Sequence, residues 1–414
     1  MFSEIKNTIT KFIKHPTFLN FYLPSFLVAF AWGVRSPVLP LYGSELSGVY
    51  LLIGLISAGG GLGTMITDLP IGRYIQNIDK RHTMIAGIGM DALSTLALVW
   101  VDSIWIAIGL RIIGGVGHAV FSIARHTYIT NAIRVNARGR AISLLGGILR
   151  TGLFLGPAVG GMVGEKFGIR LPFAAYALIS FLAISVILLS KNQASEEVQS
   201  QKNSSIIVVS LREALKGRWG IFMVASLSYI LGQIAVAGES LIIPLWGSEV
   251  LMLSADRIGW VMSLSSAVSL ILFFPAGTIM DRWGRKFALV PSFLLIGLGL
   301  GLLPLTGGFW GLATVGMVIG LGHGFGSGAM LTLGSDLSPE VGRSAFLGAW
   351  QWIADIGSSS GPLLVGLVAD ILALPFASLA VASAGLLAGG VIALFVPETL
   401  NWKKDGNKGD ELVA

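Results

Sequence analysis

Among the Arg, Asp and Glu residues of this chain, Arg35, Asp68, Asp91, Arg111, Arg125, Arg150, Glu239 and Asp355 stand inside long apolar runs. A charge at the centre of a bilayer costs at least about 2.5–3.5 kcal/mol, so each needs a partner, water or a task. Carboxylates so placed take up and release protons, and arginines so placed pair with them or grip an anion. Asp68 and Arg125 lie near run ends and read as snorkelling groups. Asp91, midway along its run, reads as a packing residue at least as well as a transport one. The chain has no Cys, which excludes disulfides, thiolate catalysis and Cys-ligated metals. Its five His are scattered without metal-ligand spacing. No nucleophile–base constellation is visible, so an enzyme is the least expected function. No metal or cofactor is expected.

The runs themselves define the class. Of 414 residues, 54% are hydrophobic and only 12% charged, against a usual charged share of about 25%. That argues against a soluble enzyme, a nucleic-acid binder and a disordered protein. A spanning helix needs about 20 apolar residues, and twelve blocks qualify: 18–42, 50–72, 83–101, 104–125, 141–163, 172–190, 220–246, 256–280, 287–305, 309–333, 344–369 and 373–396. The alternation of a β-barrel is absent. The first block is too long for a cleaved signal and reads as a retained anchor. Of the 28 Lys and Arg, 21 fall in loops on one side and three (Lys166, Arg170 and Arg257) on the other, which places both termini and the central loop in the cytoplasm. Three regions are expected: a six-helix bundle over 1–190, a cytoplasmic loop over 191–219, and a second bundle with a tail over 220–414. Within the loop, the mixture of apolar residues with Arg212, Lys216 and Arg218 over 206–219 suits an interfacial amphipathic helix.

The chain repeats itself at an offset near 205. Pro40-Leu41-Tyr42-Gly43-Ser44-Glu45 aligns with Pro244-Leu245-Trp246-Gly247-Ser248-Glu249, Gly72 with Gly277, Gly117-His118 with Gly322-His323, and Gly156-Pro157 with Gly361-Pro362. Two like-oriented halves predict an axis along the membrane normal, a substrate site between the halves, and alternating access by rocking.

These features resemble the major facilitator superfamily over essentially the whole chain. Gly277-Thr278-Ile279-Met280-Asp281-Arg282-Trp283-Gly284-Arg285-Lys286 is similar to the family's loop signature, Gly-x-x-x-Asp-Arg-x-Gly-Arg-Lys. The resemblance implies a conformational latch at Gly72, Gly277, Asp281, Arg282, Gly284, Arg285 and Lys286. In the first half, Gln76, Asn77 and Asp79 replace the Asp, Arg and second Gly, so that copy is weakened. Arg111-Ile112-Ile113-Gly114-Gly115-Val116-Gly117 is similar to the family's Arg-x-x-x-Gly-x-Gly pattern, linked to proton coupling. Gly152, Gly156, Pro157, Gly160 and Gly161 match the Gly-x-x-x-Gly-Pro-x-x-Gly-Gly pattern associated with antiporters; glycines so spaced also serve close helix packing.

The expected fold is therefore an all-α membrane protein of twelve transmembrane helices in two pseudo-symmetric bundles. The resemblance implies a proton-coupled exporter of small amphipathic or drug-like molecules, monomeric, in a prokaryotic inner membrane, with protons and lipid as partners and no nucleic acid. A metabolite or ion carrier, and a non-transporting receptor, are the alternatives. The expected proton and substrate residues are Glu239, Arg35, Arg111, Asp355, Arg150 and Asp68. The repeat suggests that Arg35 meets Glu239, with Glu239 carrying the proton, and that Arg150 faces Asp355. His118 and His323 are expected to be packing residues, and Tyr42 and Trp246 to be interfacial aromatics.

Overall fold

The computed structural model describes residues 21–74, 79–132, 135–190, 219–339 and 343–400, and all regular structure among them is helical. The expected interfacial segment over 206–218, together with Gln76 and Asn77, lies outside the described residues. The first half contains α1 (Leu23–Arg35), α2 (Val38–Leu46), α3 (Tyr50–Tyr74), α4 (Lys80–Ala97), α5 (Ile104–Ala132), α6 (Val135–Phe167) and α7 (Leu171–Leu189). The second contains α8 (Trp219–Leu245), α9 (Ala255–Arg282), α10 (Lys286–Leu302), α11 (Gly308–Phe325), α12 (Ala329–Leu337), α13 (Arg343–Ile371) and α14 (Leu374–Phe395). Eleven helices are long and apolar enough to span a membrane, and α1 with α2 forms a twelfth span bent by 42°. The bend falls at Pro37, where a fixed φ and a missing N–H interrupt the helix. Pro also opens α1, α7 and α14, where the unpaired N–H would be surplus anyway.

Leu178, Ile271, Trp310 and Leu394 are exposed large apolar side chains on spanning helices, as the hydrocarbon of a bilayer demands. Elsewhere apolar side chains form buried clusters within each half. One cluster joins the halves: Leu41 and Ile53 pack with Leu241, Leu245, Ile258 and Val365. It lies toward the face carrying the turns at 47–49 and 251–254, here called the far face. The opposite face, which carries the turn at 283–285 and the start of α4, is the loop face.

The repeat appears in the contacts. An added Cβ at Gly115 would strike the Gly60 carbonyl, and one at Gly320 the Ser265 carbonyl. Residues 60 and 115 each lie 205 positions from 265 and 320. Two short 3-10 turns, Leu98–Trp100 and Leu303–Leu305, stand at the same spacing.

Two local expectations are corrected. Tyr42 and Trp246 do not lie at an interfacial belt: both are buried. The Tyr42 hydroxyl donates to the carbonyls of Leu98 (3.0 Å) and Val101 (2.7 Å), and Trp246 Nε1 donates to Thr306 Oγ1 (3.0 Å). Each ties the far end of its half's first span to the turn after its third. Asp79, which fills the place of a turn glycine, caps α4 by accepting from the Arg81 N–H at 2.9 Å.

The glycines of α6 divide between two faces, as their spacing requires. Gly152, Gly156 and Gly160 face Phe30, Gly33 and Val34 of α1. Gly161 and the Pro157 carbonyl face Ala255 and Gly259 of the other half. A Cβ at Gly156 would sit 2.5 Å from Gly33 Cα. Gly156→Ala is expected to destabilise the protein by about 1–3 kcal/mol through overpacking. The readout is the unfolding midpoint in detergent, and an unchanged midpoint would refute this packing role.

Candidate functional site

A cavity of about 710 Å³ lies between the halves, lined among others by Trp32, Arg111, His118, His126, Asp68 and Asp355. It extends from Pro40, under the far-face cluster, to His126 and Gln351. Its walls mix rings and aliphatic groups with hydroxyls: Leu39, Ala119 and Ile123 stand beside Ser57, Thr64, Ser122 and Ser358. Trp32 stacks on His118 with ring centroids 4.3 Å apart.

On the first-half side, the charges form one network. Arg35 Nη1 donates to Asp91 Oδ1 at 3.3 Å and to Thr95 Oγ1 at 3.2 Å. The Tyr176 hydroxyl donates to Asp91 Oδ2 at 2.5 Å. The Arg35 guanidinium lies 4.7 Å from the Tyr176 ring centroid and 5.6 Å from that of Trp32. The Arg35 and Asp91 side chains are each 6% exposed. Arg111 is buried beside them on α5, with Gly60 and Gly114 leaving room for its guanidinium. Its Nε has no hydrogen-bond partner among the described residues. Arg125 is buried over the Phe121 ring, 5.1 Å from the centroid, and does not snorkel.

The expected pairings do not form. Arg35 meets Asp91 of its own half, and Glu239 meets His323 of its own half, with Oε2 and Nε2 2.6 Å apart. The alignment behind the first pairing also slips by one residue. Gly33 approaches Gly156 and Gly238 approaches Gly361, both 205 apart, whereas Pro40 and Pro244 are 204 apart. The register changes at the α1–α2 break, so Arg35 corresponds to Ser240, not Glu239. Arg150 does not face Asp355 either. It donates to Ser269 Oγ of α9 at 2.8 Å and lies 4.9 Å from the Phe273 ring centroid, bridging the halves.

The acidic groups of the two halves that approach each other in the cavity wall are Asp68 of α3 and Asp355 of α13, close enough for their carboxyls to interact. Gln351 Nε2 donates to Asp355 Oδ1 at 3.4 Å, while the buried Oδ2 receives no N–H or O–H from the described residues. Two carboxyl groups satisfy each other only when a proton lies between them. Asp91 and Tyr176 were not among the expected site residues; an Asp in mid-span was the available signal for the first. Nothing in the apolar run of α7 marked the second.

At the loop face, the signature residues gather within the second half. Arg285 Nε donates to Asp336 Oδ2 of α12 at 2.8 Å. Glu398 accepts from the Arg285 and Lys286 N–H groups at 2.9 and 3.0 Å, capping α10. Gly284 turns the chain with φ +117°, and any Cβ there would strike the Glu398 carboxylate. Asp281 lies 3.4 Å from Arg285 Nη1, with its side chain 72% exposed, and Arg282 is exposed. An added Cβ at Gly277 would meet open space. Gly72 lies in the last turns of α3.

The sequence profile of the Major Facilitator Superfamily matches residues 21–246 and 229–413. An uncharacterized MFS-type transporter of Methanocaldococcus jannaschii is 22% identical over 85% of this chain and 90% of its own length. Multidrug resistance protein 2 of Bacillus subtilis is 22% identical over 93% and 95%. Among solved structures, a mutant of the nucleoside transporter NupG is similar with a TM-score of 0.74 and 15% identity, over 90% of this chain and 98% of that one.

Proposed function

The chain belongs to the Major Facilitator Superfamily, and on that premise we propose that it is a proton-coupled exporter of small amphipathic or drug-like molecules. The observation that carries the reading is the Asp68–Asp355 contact, which joins the two halves in the cavity wall. Rocking the halves alters the contact, and with it the need for a shared proton. A cationic substrate entering the cavity competes with that proton for the same carboxyls, which is the simplest form of exchange. Glu239, bound to His323 and outside the wall of the main cavity, is a secondary proton site in this reading. Arg111, with its unpartnered Nε, orients the polar end of a substrate while Trp32 takes its apolar part.

The export direction is supported by the antiporter-type glycines of α6 and by the likeness to Multidrug resistance protein 2. The functional units are 1–190 and 220–414, joined by 191–219, working as a monomer. In this reading the loop face lies in the cytoplasm of a prokaryotic cell and the far face outside, an orientation that the loop-borne Lys and Arg support. The loop signature around Arg285 is the latch that changes partners when the loop face closes.

A second reading, a metabolite carrier, is favoured by the hydroxyl-rich lining and by the likeness to NupG. The two separate in vesicles containing a pH-sensitive dye. Addition of the lipophilic cation ethidium is expected to move protons against the flow of the probe, and uridine is not. Proton movement with uridine alone would establish the second reading; ethidium flux without proton movement would remove the coupling.

A further inference from the structure

The first N–H groups of a helix have no partner within it and are met by a cap, by water or by a ligand. Both α3 and α9 begin at the far face without a side-chain cap of their own. Val49, before α3, has no polar side chain. Ser254, before α9, spends its hydroxyl on Asp256 Oδ1 at 2.5 Å and makes no cap. In both cases a carboxylate from the opposite half supplies the missing acceptor. Asp370, near the end of α13, accepts from the N–H of Tyr50 through Oδ1 and from that of Leu51 through Oδ2, each at 2.8 Å. Glu165, near the end of α6, accepts through Oε2 from the N–H of Ala255 at 3.0 Å.

The two arrangements are one device repeated. Glu165 and Asp370 are 205 residues apart, as are Tyr50 and Ala255. The backbones beneath obey the same relation: Gly54 meets the Pro362 carbonyl as Gly259 meets that of Pro157, and Gly366 meets Tyr50 as Gly161 meets Ala255. Small residues at these four points let the helices approach closely enough for the carboxylates to reach. The Tyr50 hydroxyl adds a bond to Glu249 Oε2 at 2.6 Å, which its counterpart Ala255 cannot make.

We propose that Glu165 and Asp370 form a paired clasp that holds the far face shut, each capping the first turn of a helix that belongs to the other half. A carboxylate is the acceptor suited to the positive end of a helix. The clasp is also reversible. Glu165 and Asp370 are both exposed, so when the halves part, water replaces each bond and no buried group is stranded. It is a positioning device for alternating access, and it needs only that the halves rock, whatever the substrate or coupling ion.

The chain's lack of Cys permits a direct test. Ser240, exposed in the cavity wall near the far face, is replaced by Cys as the single reporter. A membrane-impermeant maleimide is applied to each face of oriented vesicles in turn. The Glu165→Gln/Asp370→Asn change is expected to raise labelling from the far face about tenfold and to lower it from the loop face, since charge-assisted bonds on both sides are lost. Each single change shifts the ratio in the same direction by less. The charge-keeping Glu165→Asp/Asp370→Glu change stays nearer the parent. Labelling that rises from both faces together would mean loosened structure and no clasp. An unchanged ratio would equally overturn the proposal. If the double variant does not fold, the two single variants decide: both must shift the ratio toward the far face.

Discussion

Asp355→Asn is expected to reduce proton-driven accumulation of ethidium in vesicles by about a hundredfold, the factor that about 2.7 kcal/mol of lost coupling produces. Asn keeps the size and the hydrogen bond with Gln351 but cannot share a proton with Asp68. Asp68→Asn is expected to do the same, and the double Asp68→Asn/Asp355→Asn variant to be little worse than either, because the two carboxyls act as one site and their effects do not add. Downhill movement of the probe, without a pH gradient, should survive. Glu239→Gln should be milder, since its partner His323 lies in the same half and does not register the position of the other. Full accumulation by Asp355→Asn would move the proton site elsewhere, with Glu239 next in line.

Arg35→Ala is expected to cost about 3–5 kcal/mol of stability by leaving the buried Asp91 carboxylate without its cation. The Tyr176 hydroxyl and Thr95 remain nearby but supply no charge. Arg35→Ala/Asp91→Asn should be more stable than Arg35→Ala alone, because no buried charge is stranded. Both are compared by unfolding midpoint and by the fraction recovered monodisperse in detergent. A double variant no better than the single would show that Arg35 is held chiefly by its aromatic neighbours. Arg35→Ala/Glu239→Gln should bring no such relief, because the two residues share no bond.

Some of the loop-face cluster was legible and some was not. The turn glycine and the two basic residues after it stood out in the sequence, and the structure places Gly284, Arg285 and Lys286 together in the cap around Glu398. Asp336 and Glu398, the acids that meet them, lie far along the chain in segments with no marked pattern. Asp281 drew attention from the loop signature, yet in this conformation it reaches only the edge of Arg285. A pattern of neighbouring residues records the turn, and the groups that the turn meets are set by how later helices return to it.

The sequence by itself determined the spans, the two halves and the close helix contacts. These depend on local quantities: a run of apolar residues long enough at 1.5 Å per residue, an offset of 205 sustained through both halves, and glycines spaced four apart on one face. What only the tertiary structure decided was which charge meets which. A helix turns its side chains by about 100° per residue, so the one-residue change of offset between Gly33 and Pro40 makes Ser240, not Glu239, the counterpart of Arg35, and the packing of α1 on α4 brings Arg35 to Asp91. The meeting of Asp68 with Asp355, and of Asp370 with the start of α3, joins residues some 290 and 320 positions apart. Such partners depend on the rotation and tilt of every helix between them, fixed by packing summed over the whole bundle.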